Sequence, residues 1–202
     1  MSAVSPADQV KATLAFVELV AERGYQSVTP AEVDERAGLP EGSTGRLLGD
    51  PLSCFEAGWE LLEAEFVRQV RIAYRPQAGW ANQLRAALRE AAGLLARFPA
   101  YGHFMAVDAL AIGEPGRARQ QALAARLAVF LDEARAESDQ PGEAPAATSG
   151  WVIGILFDRI YRYSASGRED QLAADVPELM FLAVSAYFGP EAGLAELDGG
   201  AA

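Results

Sequence analysis

The residue types that support catalysis are scarce in this sequence. His103 is the only histidine and Cys54 the only cysteine, so the chain cannot assemble a histidine or thiolate cluster around a metal ion. It contains neither a glycine-rich phosphate loop nor the nucleophile elbow of hydrolases. The adjacent carboxylates Asp34 and Glu35 are more simply a solvated helix face. We therefore expect no enzymatic activity, no metal and no cofactor.

A short polar segment, Ser43, Thr44 and Arg46, has chemistry suited to nucleic acid. An arginine can pair bidentately with guanine, and a threonine can contact a base edge or a thymine methyl. The sequence leaves one alternative open, in which Arg46 is a surface arginine and Thr44 an ordinary helix residue.

The segment that must position these side chains reads as a short helix, a turn, a second short helix and a long helix. Thr29-Pro30-Ala31-Glu32 is a capping box with proline at the first helical position. Gly38 tolerates the left-handed backbone that ends such a helix. A weak helical segment follows over 41–48, and Asp50-Pro51 then begins the long helix. This order is typical of a helix-turn-helix motif.

The order and spacing of several residues here resemble those of the TetR family of transcriptional regulators. They are Glu22-Arg23-Gly24-Tyr25, Thr29, Val33, Ala37-Gly38-Leu39, Gly49-Asp50 and Phe55. The resemblance implies an all-α protein with an N-terminal three-helix helix-turn-helix domain over 1–50. It also implies a C-terminal helical bundle over 51–202 for ligand binding and dimerisation. By the same resemblance, the residues that contact duplex DNA are Tyr25, Thr29, Ser43, Thr44 and Arg46.

The predicted recognition helix over 41–48, here called the reading helix, departs from the family pattern. Family members usually present an aromatic residue, a histidine or similar residue and a second aromatic residue where this chain has Gly45, Leu47 and Leu48. Pro40 replaces the usual helix-starting serine, and Pro51 replaces the lysine that commonly meets a phosphate. These differences predict weak or narrowly specific binding to DNA.

Helical periodicity continues through the rest of the chain. It predicts helices over 7–23, 30–37, 50–74, 80–98, 100–112, 117–137, 148–164 and 176–188, a turn over 113–116 and a mobile loop over 138–147. In the family, a ligand pocket lies inside this bundle, and aromatic and polar residues on apolar helices suit a small, flat, apolar effector. The candidate pocket residues, for each of which ordinary core packing is the alternative, are Tyr101, His103, Phe104, Met105, Asp108, Trp151, Phe157 and Tyr161.

The last two predicted helices carry a face suited to a symmetric interface. Two glycines lie one turn apart in the first of them, and 179–188 is nearly free of charge. Pairing both helices with those of a second copy makes a four-helix interface, as the family does. The predicted homodimer interface consists of Gly150, Gly154, Leu179, Leu182, Ala183 and Ala186.

The charge of the chain does not favour nucleic acid. The formal net charge is −11, and 1–50 holds four cations against eight acids. Duplex binding draws most of its affinity from phosphate neutralisation, although a local basic patch can suffice. No apolar run approaches a membrane span, and the first residues show no secretion signal. We therefore expect a cytoplasmic protein with no membrane partner.

Two functions fit these observations. The first is a TetR-like repressor that binds operator DNA as a homodimer and is released by a small apolar effector. The second is a TetR-like protein with a degenerate DNA-binding domain that acts as a ligand-binding or protein-interaction module. The capping box and turn favour the first function, and the acidic reading domain favours the second.

Overall fold

The computed structural model describes residues 5–137 and 144–199, and all regular structure in these ranges is helical. The α-helices are α1 (Pro6–Arg23), α2 (Pro30–Ala37), α3 (Ser43–Leu47), α4 (Pro51–Tyr74), α5 (Trp80–Arg97), α6 (Pro99–His103), α7 (Ala109–Ile112), α8 (Glu114–Asp132), α9 (Ala134–Glu137), α10 (Thr148–Ser166), α11 (Val176–Phe188) and α12 (Pro190–Gly199). Short 3-10 helices cover Tyr25–Ser27 and Glu169–Asp175, and a π-helical turn, Phe104–Asp108, joins α6 to α7. No strand occurs in the described ranges, so the predicted all-α class is confirmed.

The boundaries of the N-terminal helices follow from their caps. Thr29 Oγ1 accepts from the Glu32 amide at 3.4 Å, and Glu32 Oε2 accepts from the Thr29 amide at 2.9 Å, which completes the predicted capping box of α2. Gly38 ends α2 in the left-handed region with φ 66°. Asp50 Oδ1 accepts from the Ser53 amide at 2.7 Å and so caps α4.

A first core joins the three N-terminal helices to the body of the protein. Phe104, in the π-helical turn, is fully buried, and its ring lies 6.3 Å from that of Phe16 in α1 and 5.3 Å from that of Phe55 in α4. Gly58 in α4 makes this approach possible, because a Cβ there would lie 3.0 Å from Phe104 Cζ and 3.1 Å from Val17 Cγ2. The body is therefore packed directly against α1 and the first half of α4.

A second core lies between α5, α8, α9, α10 and α11. Trp80 belongs to this core and is 1% exposed. The centroid of its ring lies 5.4 Å from that of Tyr187 and 5.6 Å from that of Phe188. The Trp80 indole N–H donates to the Phe130 carbonyl at 3.0 Å, so its polar atom is satisfied inside the core. This packing joins the start of α5 to the end of α11.

Two predictions differ from the structure, and a third falls mostly outside the described residues. The predicted turn over 113–116 is wrong, because only Gly113, at φ 92°, leaves helical geometry, and Pro115 is tolerated in the first turn of α8. The sequence reading also missed α12, which begins at Pro190 directly after Gly189. Of the predicted loop over 138–147, residues 138–143 lie outside the described residues.

The helices of the described part offer neither a membrane span nor a metal site. None of them is both long and apolar enough to cross a bilayer. Among the same residues, no group of three or more histidine, cysteine, aspartate or glutamate side chains could hold a metal ion.

Candidate functional site

The start of α3 is fixed onto α2 by one buried carboxylate. Asp34 is 3% exposed, and it accepts hydrogen bonds from the Ser43 amide at 3.1 Å, the Thr44 amide at 2.7 Å and the Thr44 hydroxyl at 2.6 Å. Burial acts to raise the pKa of Asp34, but the hydrogen bonds from Thr44 and its neighbours outweigh burial and hold that pKa below its usual value. Asp34 therefore anchors the turn, and its interpretation as part of a solvated face is wrong.

This anchoring moves two predicted DNA contacts into the interior. Thr44 is 0% exposed and Ser43 is 6% exposed. The Ser43 hydroxyl donates to the Pro40 carbonyl at 2.5 Å and accepts from Arg46 Nη2 at 3.0 Å. Leu48, which stands at a position where the family usually has an aromatic reader, is buried in the first core. The surface of α3 consequently offers few side chains to a ligand.

Arg46 is the exposed cation of α3, and unlike the other cations of the N-terminal helices it has no carboxylate partner among the described residues. The other three cations of the described residues 5–50 each meet a carboxylate: Lys11 meets Asp8 at 3.5 Å, Arg23 meets Glu32 at 2.8 Å and Arg36 meets Glu22 at 2.8 Å. Arg46 is exposed, and the hydrogen bonds described for it go to the Ser43 hydroxyl and the Glu41 carbonyl. Arg46 thus holds the positive charge least neutralised by protein groups in the helix-turn-helix.

Tyr25 and Thr29 border the same surface. Tyr25 is half-buried, with its ring 6.3 Å from that of Phe16 in an edge-on contact. Burial raises the pKa of its phenol, so the hydroxyl keeps its proton and can donate at neutral pH. Thr29 is exposed, although its side chain is already used in the capping box. That either residue contacts the DNA backbone stays a prediction from the resemblance.

A cavity opens in the body between α4, α5, α8, α10 and α11. The cavity has a volume of about 80 Å³, and the wider space around it, which includes open solvent, amounts to about 880 Å³. Among the described residues, Arg71 and Tyr74 contribute the only polar side-chain groups to its wall. Most of the remaining wall is aliphatic, which suits an apolar ligand. The lining consists of Phe66, Val67, Val70, Arg71, Tyr74, Leu84, Ala87, Leu88, Ala91, Leu127, Phe130, Leu131, Val152, Ile153, Ile155, Leu156, Leu179, Leu182 and Ala183.

None of the eight predicted pocket residues lines this cavity. Tyr101 stacks on Phe98 at a centroid distance of 5.0 Å, and Phe104 fills the first core. Met105 and Phe157 pack against that same core, whereas Trp151 and Tyr161 are 61% and 40% exposed. The prediction rests on aromatic and polar side chains, whereas the wall of the cavity consists mainly of aliphatic residues at the spacing of an ordinary core.

His103 and Asp108 are joined to each other and not to the cavity. His103 Nδ1 lies 2.8 Å from Asp108 Oδ2, and Asp108 is 4% exposed. Burial raises the pKa of Asp108, opposed by its bond to His103. The pair spans the π-helical turn that places Phe104 in the first core, so its role in this structure is to brace that turn.

The predicted dimer residues divide into an exposed and a buried set. Gly150, Gly154 and Ala186 are exposed, and Leu182 is 38% exposed. Trp151 and Ile155 extend this apolar surface on α10, at 61% and 41% exposure. The two remaining residues, Leu179 and Ala183, are buried within their own chain and line the cavity.

Comparisons with known proteins agree with the helical architecture. No family model matches the sequence, and no curated protein matches it. Among solved structures, the fatty acid degradation regulator FadR from Bacillus halodurans aligns with a TM-score of 0.78 at 14% identity, covering 90% of this chain and 96% of that one.

Two further structures extend the comparison. The transcriptional regulator FadR from Bacillus subtilis, solved in complex with stearoyl-CoA, aligns with a TM-score of 0.75 at 16% identity over 88% of this chain and 98% of that one. A TetR-like transcriptional regulator from Rhodococcus sp. RHA1 aligns with a TM-score of 0.68 at 17% identity over 91% and 97% of the two chains. The resemblance noted in the N-terminal motif is therefore confirmed at the level of the fold.

Proposed function

We propose that this chain, which has the fold of TetR-like transcriptional regulators, binds operator DNA as a homodimer and loses affinity for DNA when an apolar effector occupies the cavity. The observation that carries the proposal is that both sites share α4. The first half of α4 packs with the reading helices through Phe55 and Trp59, and the second half lines the cavity from Phe66 to Tyr74. A helix of 24 residues is about 36 Å long, so a displacement at one end is carried to the other.

On the DNA side, Arg46 is the residue that the proposal depends on most. It is exposed and lacks a carboxylate partner among the described residues, so its guanidinium can exchange two hydrogen bonds within the protein for a bidentate contact to guanine. Tyr25 and Thr29 supply contacts to the DNA backbone, and Ser43 holds Arg46 in position until the guanidinium contacts DNA. Thr44 is left out of this interface because its hydroxyl is bonded to Asp34.

On the effector side, the wall of the cavity favours an aliphatic chain over a flat aromatic ring. Branched aliphatic and alanine side chains dominate the lining, and a flexible chain adapts to such a wall. The complex of the Bacillus subtilis regulator with stearoyl-CoA supports an effector of this kind. Binding displaces the equilibrium between DNA-competent and DNA-incompetent dimers only if the two forms hold the effector with different affinity.

For the dimer, the exposed face of α10 and α11 is the proposed interface. Trp151, Ile155 and Leu182 form an apolar surface there, with Gly150 and Gly154 allowing close approach of a second backbone. A symmetric pair of these faces gives each dimer two reading domains, which matches the two half-sites of an operator.

The second candidate is a ligand-binding module that does not bind an operator. It is favoured by the five-residue length of α3 and by the acidic surplus of the helix-turn-helix segment. The two functions differ in one measurable property, because only the regulator selects a sequence from a pool of duplexes.

The test is selection of duplex DNA from a random pool at low salt, followed by fluorescence anisotropy with the selected and a scrambled duplex. We expect enrichment of a two-part site and a preference that Arg46→Ala reduces by about 1–3 kcal/mol. Lys11→Ala is the matched control, since it removes the same charge from α1 and should leave the preference intact. A pool that remains unselected would overturn operator binding and favour the second candidate.

A further inference from the structure

Three arginines at the C-terminal end of α4, Arg68, Arg71 and Arg75, adjoin the apolar cavity, and we call this cluster the cationic ledge. A surface depression is lined by Ala64, Val67, Arg68, Arg71, Ile72 and Arg75, and it shares Val67 and Arg71 with the cavity. The three arginines follow the spacing i, i+3 and i+7, which places them on one face of the helix. A mostly aliphatic interior and a cluster of guanidinium groups therefore meet at Val67 and Arg71, of which Arg71 is the charged one.

Two of these arginines are unusual in their lack of acidic partners. In an acidic chain, 12 of the 17 cationic side chains form an ion pair with a carboxylate of the described residues. Arg68 is among them, with Glu65 accepting from its Nε at 2.8 Å and its Nη2 at 2.7 Å. No carboxylate of the described part pairs with Arg71 or Arg75. Like charges one turn apart repel each other, so an anion bound between them would relieve that repulsion.

The cavity reaches the surface beside this ledge. The exposed ones among its described lining residues are Arg71, Ile155 and Leu182, and Arg71 marks the part of the rim that the proposed dimer face on α10 and α11 does not cover. A ligand that enters there can place an aliphatic chain inside and leave a polar end at Arg71. Deeper along α4, the Tyr74 hydroxyl donates to Glu133, and this carboxylate would repel an anion. The anionic end therefore belongs on the side of Arg71 and Arg75.

We propose that Arg71 and Arg75 bind the anionic head group of an amphiphilic effector whose unbranched aliphatic chain lies in the cavity. The inference rests on the proposed function in so far as the cavity is the effector site. It adds the chemical class of the ligand, which is an anion and not a neutral hydrocarbon. Guanidinium groups bind both carboxylate and phosphate, so the head group is the carboxylate of a free fatty acid or the phosphates of an acyl-nucleotide thioester.

The experiment is equilibrium dialysis of the full chain with three labelled ligands of equal chain length: dodecanoate, dodecanoyl-CoA and neutral dodecanol. We expect at least one anion to bind about tenfold or more tightly than dodecanol, because a charge-assisted pair adds that much affinity. Arg71→Gln and Arg75→Gln should each remove much of the advantage without changing the affinity for dodecanol. The anion that binds more tightly identifies the head group.

Arg89→Gln is the matched control, because Arg89 is an exposed arginine on α5 that lines neither the cavity nor the ledge. It should bind all three ligands as the unaltered protein does, and circular dichroism should show the same helix content for every variant. Equal affinity for the anions and dodecanol, or an anion preference that survives both ledge substitutions, would overturn the head-group site while leaving the cavity as an apolar site. Absence of binding by all three ligands would overturn the aliphatic cavity site, and with it the effector part of the proposed function.

Discussion

The carboxylate of Asp34 accepts two hydrogen bonds from Thr44, one from the amide at 2.7 Å and one from the hydroxyl at 2.6 Å. These bonds cross the turn between α2 and α3 and set the angle at which α3 is presented. Asp34 is buried, so the bonds are shielded from water and contribute more than they would on a surface. The orientation of the reading helix thus depends on a residue of the preceding helix.

Asp34→Asn should lower the free energy of unfolding at neutral pH by about 1–3 kcal/mol, because the amide cannot accept all the bonds that the carboxylate accepts. The folded-state pKa of Asp34 lies below its ordinary value of 3.8. The stability it adds is therefore fully present above that value and is lost as the pH falls through the lower folded-state pKa. Urea unfolding over a pH series measures the difference, and the exposed neighbour variant Glu35→Gln should show none. A difference that persisted unchanged in strong acid would contradict this account.

Gly58→Ala should destabilise the protein by about 1–3 kcal/mol, because the new Cβ would lie 3.0 Å from Phe104 Cζ and 3.1 Å from Val17 Cγ2. Gly93→Ala in α5 is the matched control, since its nearest neighbour is the mobile end of Arg97 at 3.9 Å. The control should gain up to about 1 kcal/mol from helix propensity. Thermal denaturation of both variants gives opposite signs if Phe104 is packed tightly, and equal gains would refute that packing.

Trp151→Glu should shift the protein from dimer to monomer at micromolar concentration, because a charge on the apolar face of α10 opposes its burial against a second copy. Ala183 is less suitable for this test, since it is 1% exposed within its own chain. Val129→Glu, at a residue 62% exposed on α8 and outside the proposed face, is the control and should stay dimeric. Light scattering distinguishes the two states. A dimeric Trp151→Glu variant would place the interface elsewhere.

The affinity for DNA should depend only shallowly on salt, because Arg46 is the one cation of the described residues 5–50 that meets no carboxylate. Each phosphate contact contributes about 0.9 to the slope of log affinity against log salt. Pro51→Lys, at the exposed start of α4, should steepen the slope by about one unit per protomer while leaving the preferred sequence unchanged. A steep slope in the unaltered protein would show that the DNA-contacting surface lies outside this segment.

Local signals in the sequence predicted the N-terminal elements well. The capping residues are Thr29, Glu32, Gly38 and Asp50. Each acts on neighbours a few residues away, so its role can be predicted from the local sequence without knowledge of the fold. The burial of Thr44 could not be predicted from the sequence, because it depends on a hydrogen bond to Asp34, ten residues away, and on how α2 packs. Polar residue types alone made Thr44 look available for DNA.

The cavity was harder to predict for a different reason. Its wall is made of residues such as Val70, Leu88 and Leu156, whose spacing is the same as that of a filled core. A cavity is an absence of packing, and only the positions of several helices decide whether side chains meet or leave a gap. Arg71 is the one available signal in the sequence, as a cation next to the apolar stripe of α4, but the helix dipole favours a cation near the C-terminal end of any helix, so the signal is not specific.

The most direct test of the central claim is the affinity for the selected duplex with and without a bound long-chain ligand, measured by fluorescence anisotropy. We expect saturating dodecanoate or dodecanoyl-CoA to weaken DNA binding by about tenfold or more, a common size for coupling between two sites. Ala87→Phe, which fills the cavity, should abolish this effect, whereas Ala96→Phe, at an exposed position of α5 outside the lining, should keep it. DNA affinity that is identical with and without a ligand shown to occupy the cavity would contradict the claim that the two sites are coupled through α4.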